Sequence, residues 1–187
     1  MKNTLAFVFA TIVLSSITVW GQEQMTIARF REIASSPGDT VPLNPKLSVA
    51  GPLWTNATIA ISLKYENGKN FKEVVAETAK TVGGKYVVTT VQSQFYKQPM
   101  DSIMTYDEKA SAYKVWAIFG ETITEGHIVY DFQKKIYAMN SAYGDGFTEL
   151  GVGSYTSTES SDQTLIFKNG VLFSTRESKC MPVDPSK

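Results

Sequence analysis

From Trp54 to Arg176 the chain runs in short stretches of alternating apolar and polar residues, separated by turn-forming residues. Ile59, Ile61, Leu63 and Tyr65 alternate ahead of Glu66-Asn67-Gly68, and Val87, Val91 and Phe95 share a parity further on. A period of two is that of a β-strand with one buried face. Leu165 and Phe167 precede Asn169-Gly170, with Val171 and Phe173 beyond it. Asn-Gly between two such runs predicts a hairpin closed by a type I′ turn. Ahead of this region, Ile27, Phe30, Ile33 and Ala34 share one face of a helix expected over Thr26 to Ala34. Ser35 to Pro45 reads as a linker, broken by Pro37, Gly38, Pro42 and Pro45.

The segment 70–82 gives two answers. Phe71, Val74, Val75, Thr78, Ala79 and Val82 recur at helical spacing, Asn70 and Glu73 stand where a capping box needs them, and Gly83-Gly84 supplies a stop. The same residues suit a strand joined to its predecessor by a tight turn at Asn67-Gly68.

An internal repeat bears on the architecture more directly. Tyr106-Asp107 is followed by Tyr113 and Gly120, and 24 residues later Tyr130-Asp131 is followed by Tyr137 and Gly144. The shared pattern is Tyr-Asp-x5-Tyr-x6-Gly. Each copy reads as a strand end, a polar turn and a new strand. That period suits a β-hairpin and is shorter than the roughly 30 residues of a βαβ unit. Consecutive hairpins imply an antiparallel up-and-down meander of about 8–10 strands at the usual spacing, and closure into a barrel removes its exposed edges.

The 187 residues suffice for one such domain, and 18 basic against 18 acidic side chains leave no basic excess for a nucleic-acid partner. A single cysteine and a single histidine exclude disulfide frameworks and Cys/His zinc sites, so neither a metal nor another cofactor is expected. The N-terminus has its own logic. Lys2 precedes an apolar run from Thr4 to Trp20, and Val19 and Gly21 are small enough for the −3 and −1 positions of a signal-peptidase site. The run is too short and too interrupted to span a membrane. The expected layout is a signal peptide over 1–21, a helix and Pro-rich linker over 22–50, a barrel over 51–176, and a polar tail over 177–187 holding Cys180. The product is expected to be exported, to a periplasm or outside the cell, with no identified protein partner.

Several of these residues carry a resemblance. Gly83-Gly84-Lys85-Tyr86, Pro99-Met100, Tyr106-Asp107 with Tyr113 and Trp116, and Glu125-Gly126 followed by Tyr130-Asp131 resemble segments of the exported bacterial domain-of-unknown-function 1579 family. Gly51 and Trp54 are similar to the Gly-x-Trp that opens many lipocalin-type barrels, with two residues between them instead of one, and Thr105 stands where the family has glycine. The resemblance covers roughly 51–153. It implies a lipocalin-like barrel and export, favours strand over helix for 70–82, and brings no catalytic residue.

The candidate chemistry is sparse. His127 is the only imidazole a histidine-dependent hydrolase could use, in company with a carboxylate. Asp107 and Asp131 sit at equivalent strand ends, which favours turn hydrogen bonds over paired acid–base work. Asn56-Ala57-Thr58 is a glycosylation sequon. Read by parity, the repeat strands place Tyr113, Val115, Phe119, Tyr137, Met139 and Tyr143 inward, as the best lining for any ligand cavity. Lys114 and Trp116 then point outward, Trp116 covered if at all by the N-terminal segment, and Lys114→Glu is expected to be nearly silent. The expected function is binding of a small, largely apolar ligand without catalysis. The alternatives are a His127-dependent hydrolase and an envelope protein that docks a partner through its outer face.

Overall fold

The computed structural model describes residues 24–50, 58–66, 68–95, 97–119, 121–156 and 159–182. The expected signal peptide with its cleavage site, the Gly51/Trp54 motif, most of the sequon and the last five residues lie outside them.

The fold is all-β, an antiparallel meander closed into a lipocalin-like barrel. Ten strands follow in chain order: β1 (Thr58–Glu66), β2 (Lys69–Val82), β3 (Tyr86–Ser93), β4 (Met100–Asp107), β5 (Ala112–Phe119), β6 (Thr122–Asp131), β7 (Ile136–Ala142), β8 (Phe147–Tyr155), β9 (Ser160–Lys168) and β10 (Val171–Pro182). Each pairs with its neighbours in sequence, and β10 closes the ring on β1 from Ala60↔Pro182 to Glu66↔Arg176. At the last hairpin Asn169 and Gly170 both have positive φ, 51° and 79°, the signature of a type I′ turn. A glycine accepts that φ without the Cβ penalty.

The two repeat copies build the same turn. Asp107 Oδ1 accepts from the backbone N–H of Lys109 and Ala110 at 3.0 and 3.2 Å, and Asp131 Oδ1 from those of Gln133 and Lys134 at 3.1 and 3.0 Å. Four residues after each aspartate, Ser111 and Lys135 take the left-handed conformation at φ 50° and 54°.

The segment 70–82 is strand, paired to β1 and β3 along its length. Its helical spacing is overridden by ladders on both sides. The polar tail expected from 177 also needs correction, because β10 runs on to Pro182 and closes the barrel. Cys180 is therefore half-buried in a strand instead of lying in a loose tail.

Among the described residues two helices precede the barrel. In α1 (Ile27–Ser35) the Thr26 hydroxyl caps the first turn by accepting from Arg29 N–H at 3.2 Å, and Phe30 and Ile33 are buried. They pack on Tyr86, Val88, Ile103 and Trp116, on the outer face of β3–β5. Burying two such side chains contributes about 1.5–3 kcal/mol each. The linker holds a second helix, α2 (Pro45–Ala50), that its prolines conceal. Asn44 accepts from Lys46 N–H at 2.8 Å, and Pro45 sits at the first helical position, where its missing N–H costs nothing. Leu47 of α2 is fully buried against Val87, Met104 and Tyr113, the opposite face of the same strands. The linker between the helices is tied down by Asp39, which accepts from Gly83 N–H at 2.5 Å, and by Asn44 N–H donating to Gly84 at 2.8 Å. Among the described residues no helix is long and apolar enough to cross a membrane.

Candidate functional site: the barrel interior

Which face is inner follows from register and burial together. Ladder partners run Met104↔Val115↔Gly126↔Ser141↔Glu149↔Ile166↔Ser174 across seven strands. On the far side from the helices, Glu149, Gly151, Thr164 and Ser174 of this parity are buried, whereas Val152 and Leu165 of the other are 37% and 44% exposed. The first parity is the interior. Tyr113, Val115, Tyr137, Met139 and Tyr143 share it. Phe119 follows the same alternation in the backbone of β5, and its side chain lies outside the described residues.

The interior is not filled like a core. Val115, Ile128, Tyr137, Met139, Tyr143, Ile166 and Arg176 are only half-buried although they face the inside of a closed ring. The reason is partly arithmetic. Barrel diameter grows with strand number, and about eight strands enclose a space that side chains just fill. Ten enclose more. Two glycines of β8 make room for the large inward side chains: a Cβ at Gly153 would collide with the Tyr137 ring, and one at Gly151 with Met139.

The two ends differ chemically. Near the β4–β5 and β6–β7 turns, Tyr113 packs edge-on to Tyr106 and Tyr130, with centroids 5.2 and 5.3 Å apart, and Tyr130 meets Tyr137 and Tyr155 at 5.9 Å. Helix α2 covers this end, and the Tyr113 hydroxyl donates to the Lys46 carbonyl at 2.8 Å. Toward the other end lies a polar set on β7, β8 and β10. Glu149 accepts from the hydroxyls of Tyr143 and Ser141 and pairs with Arg176 at 3.2 Å. Nearer the tyrosine end, on the ladder row of Tyr137 and Gly153, Asp162 of β9 accepts from Ser178 and Thr164. Burial raises the phenol pKa of Tyr137 and Tyr143 well above the usual value, with the charges of Asp162 and Glu149 adding to it. Both phenols therefore remain protonated donors. The rim at the Glu149 end exposes Phe71, Phe95, Val171, Leu172 and Phe173, on the three adjacent hairpins β1–β2, β3–β4 and β9–β10.

Sequence reasoning missed Glu149, Asp162 and Arg176. Their signal was available in the strand alternation, as charged residues on a face otherwise given to Phe147, Gly151 and Ile166.

Lys114 needs a correction of another kind. It points outward, yet it is 6% exposed. Its Nζ pairs with Glu125 at 2.8 Å and stands 5.2 Å over the Trp116 ring, while Trp116 Nε1 donates to Glu125 at 2.9 Å. The cover of Lys114 comes from Glu125 and the Trp116 ring, with Met25 and Arg29 on the facing wall of the same cleft. A silent Lys114→Glu is no longer the expectation. His127 lies opposite Lys114 and Asn140 on this outer face, away from the inward row. Burial lowers its pKa, so the imidazole is neutral at pH 7. Among the described residues no group of three or more His, Cys, Asp or Glu side chains is placed to hold a metal ion.

Fold and site together define a lipocalin-like β-barrel with a partly open interior, an architecture that in other proteins holds one small ligand. The chain is similar in structure to the S-type phycobiliprotein lyase CPES from Guillardia theta, with a TM-score of 0.51 over 84% of this chain and 99% of that one, at 9% sequence identity. At that identity the likeness is one of fold. No protein-family model and no curated protein matches the sequence.

Proposed function

We propose that the protein is an exported carrier that binds one small ligand inside the barrel without transforming it. The observation that carries this reading is the half-exposure of inward-facing side chains in a closed ring of ten strands. The ligand is largely apolar, its body against Tyr113, Val115, Tyr137 and Met139, and its one polar end meets Tyr143, Glu149 and Arg176. An amine or hydroxyl suits that end, because the protonated phenols donate and Glu149 accepts. The fold shared with a phycobiliprotein lyase is compatible with a ligand in this place. Export rests on Lys2, the apolar run and the small residues before Gln22.

The test is native mass spectrometry of the mature chain from its own host, followed by titration of the stripped protein with 1-aminoanthracene, an apolar amine. One equivalent of bound mass and a saturable fluorescence rise are expected, both lost in Met139→Trp, which fills the interior. A folded Met139→Trp that binds like the wild type would remove the interior as the site.

A further inference from the structure

The two repeat copies build the same turn but finish it differently. In the second, the other carboxylate oxygen of Asp131 pairs with Lys134 Nζ at 3.0 Å. The position equivalent to Lys134 in the first copy is Ala110. Asp107 Oδ2 consequently has no ion pair, and among the described residues it has no hydrogen-bond partner of any kind. Asp107 is also the more buried of the two, at 9% exposure. Buried polar atoms in folded proteins are paired in the large majority of cases, so an orphaned carboxylate oxygen calls for a partner from outside.

A cleft lies beside it. About 220 Å³ in volume, it runs between the approach to α1 and the outer face of β3–β5, and Met25, Tyr86, Thr105, Asp107, Lys114 and Trp116 contribute to its walls. It is on the far side of the sheet from the barrel interior. Of the cations along it, Lys114 is engaged by Glu125 and Arg29 by Glu32, each at 2.8 Å. Lys85 and Lys109 carry no ion pair among the described residues and outnumber Glu108, which is exposed on the same turn.

We propose that this cleft is a second binding site, for a small zwitterion of the α-amino-acid type. Oδ2 is covered in the structure, so the Asp107 carboxylate turns toward the cleft on binding. The ligand's ammonium then supplies the partner Oδ2 lacks, its carboxylate faces Lys85 and Lys109, and its apolar side chain lies among Met25, Tyr86 and Trp116. A charge-assisted bond to a desolvated carboxylate is among the stronger hydrogen bonds available. The volume is below the range of drug-sized pockets, which limits the ligand to a small molecule.

The experiment follows the Trp116 indole N–H resonance, assigned with Trp116→Phe, as three probes are added to the full mature chain. L-leucine carries both charges, 3-methylbutylamine only the ammonium and 4-methylpentanoate only the carboxylate. A saturable shift with leucine, at least tenfold weaker with the amine and absent with the acid, is expected. Asp107→Asn preserves the turn acceptor and should abolish the shift. Ala110→Lys restores the lysine of the second copy, and should abolish binding while raising the melting temperature, so a loss of signal there is not a loss of fold. No shift with leucine, equal binding of the amine, or unchanged binding in Asp107→Asn would each overturn the proposal. Occupancy of the barrel interior is read separately and does not enter these outcomes.

Discussion

Reversing the charge of Lys114 tests the ion pair that this buried side chain makes on the outer face of the barrel. The ammonium is 8% exposed by side chain and lies 2.8 Å from a Glu125 carboxylate that is 43% exposed. Two unit charges about 4 Å apart interact by about 4 kcal/mol at an effective dielectric near 20. Exposure of Glu125 admits water and salt, and screening of that kind cuts the figure to about 2 kcal/mol. Lys114→Glu removes this attraction and substitutes a repulsion, which Glu125 relieves in part by swinging into solvent. A loss of about 2–4 kcal/mol follows from these magnitudes. With a urea m-value of roughly 2 kcal/mol/M, the unfolding midpoint falls by about 1–2 M. Lys114→Met keeps the stem against Trp116 and should cost only about half as much. The double change Lys114→Glu with Glu125→Lys should recover part of the loss, the remainder reflecting the forfeited hydrogen bond from Trp116 Nε1. A midpoint for Lys114→Glu within about 0.3 M of wild type, at that slope, or a double variant no better than the single, would refute the burial argument.

Two further outcomes can be checked in the same way. Leu47→Ala empties a fully buried position where α2 closes the barrel, and should cost about 2–5 kcal/mol by urea unfolding. Glu77 has its carboxyl pKa raised by burial above the ordinary value of 4.5, so the folded state holds its proton more tightly than the unfolded one. Its contribution is fully present below pH 4.5 and is lost as the pH rises through the folded value. Glu77→Gln should therefore gain stability relative to wild type between pH 4 and pH 7, and a difference independent of pH across that window would contradict the direction of the shift.

How far the fold was legible depends on how local each signal is. The turns at Asp107, Asp131 and Asn169-Gly170 are set by residues within four positions of each other, and sequence reasoning reaches them directly. The segment 70–82 was ambiguous because its partners, β1 and β3, decide between helix and strand from outside. Helix α2 was hidden because Pro42 and Pro45 read as breakers, although Pro45 occupies the one helical position that tolerates it. The end of β10 was hidden for the opposite reason. Arg176, Glu177, Ser178 and Lys179 carry no apolar alternation, and only pairing with β1 and β9 makes them a strand. Burial of Lys114 could not be read from parity, since parity gives direction and not cover. The acidic and basic groups inside the barrel are not legible locally, because Glu149 of β8 and Arg176 of β10 lie 27 residues apart in sequence and meet only once the barrel closes.

The central claim, a ligand inside the barrel, is tested most directly by methionine methyl resonances in protein labelled with ¹³C at the methionine methyl groups. Met104 and Met139 face the interior, whereas Met25 lines the outer cleft. Titration with 1-aminoanthracene should displace the Met139 and Met104 signals saturably and leave Met25 unmoved. Movement of Met25 with Met139 and Met104 silent would place the ligand outside the barrel and contradict the account.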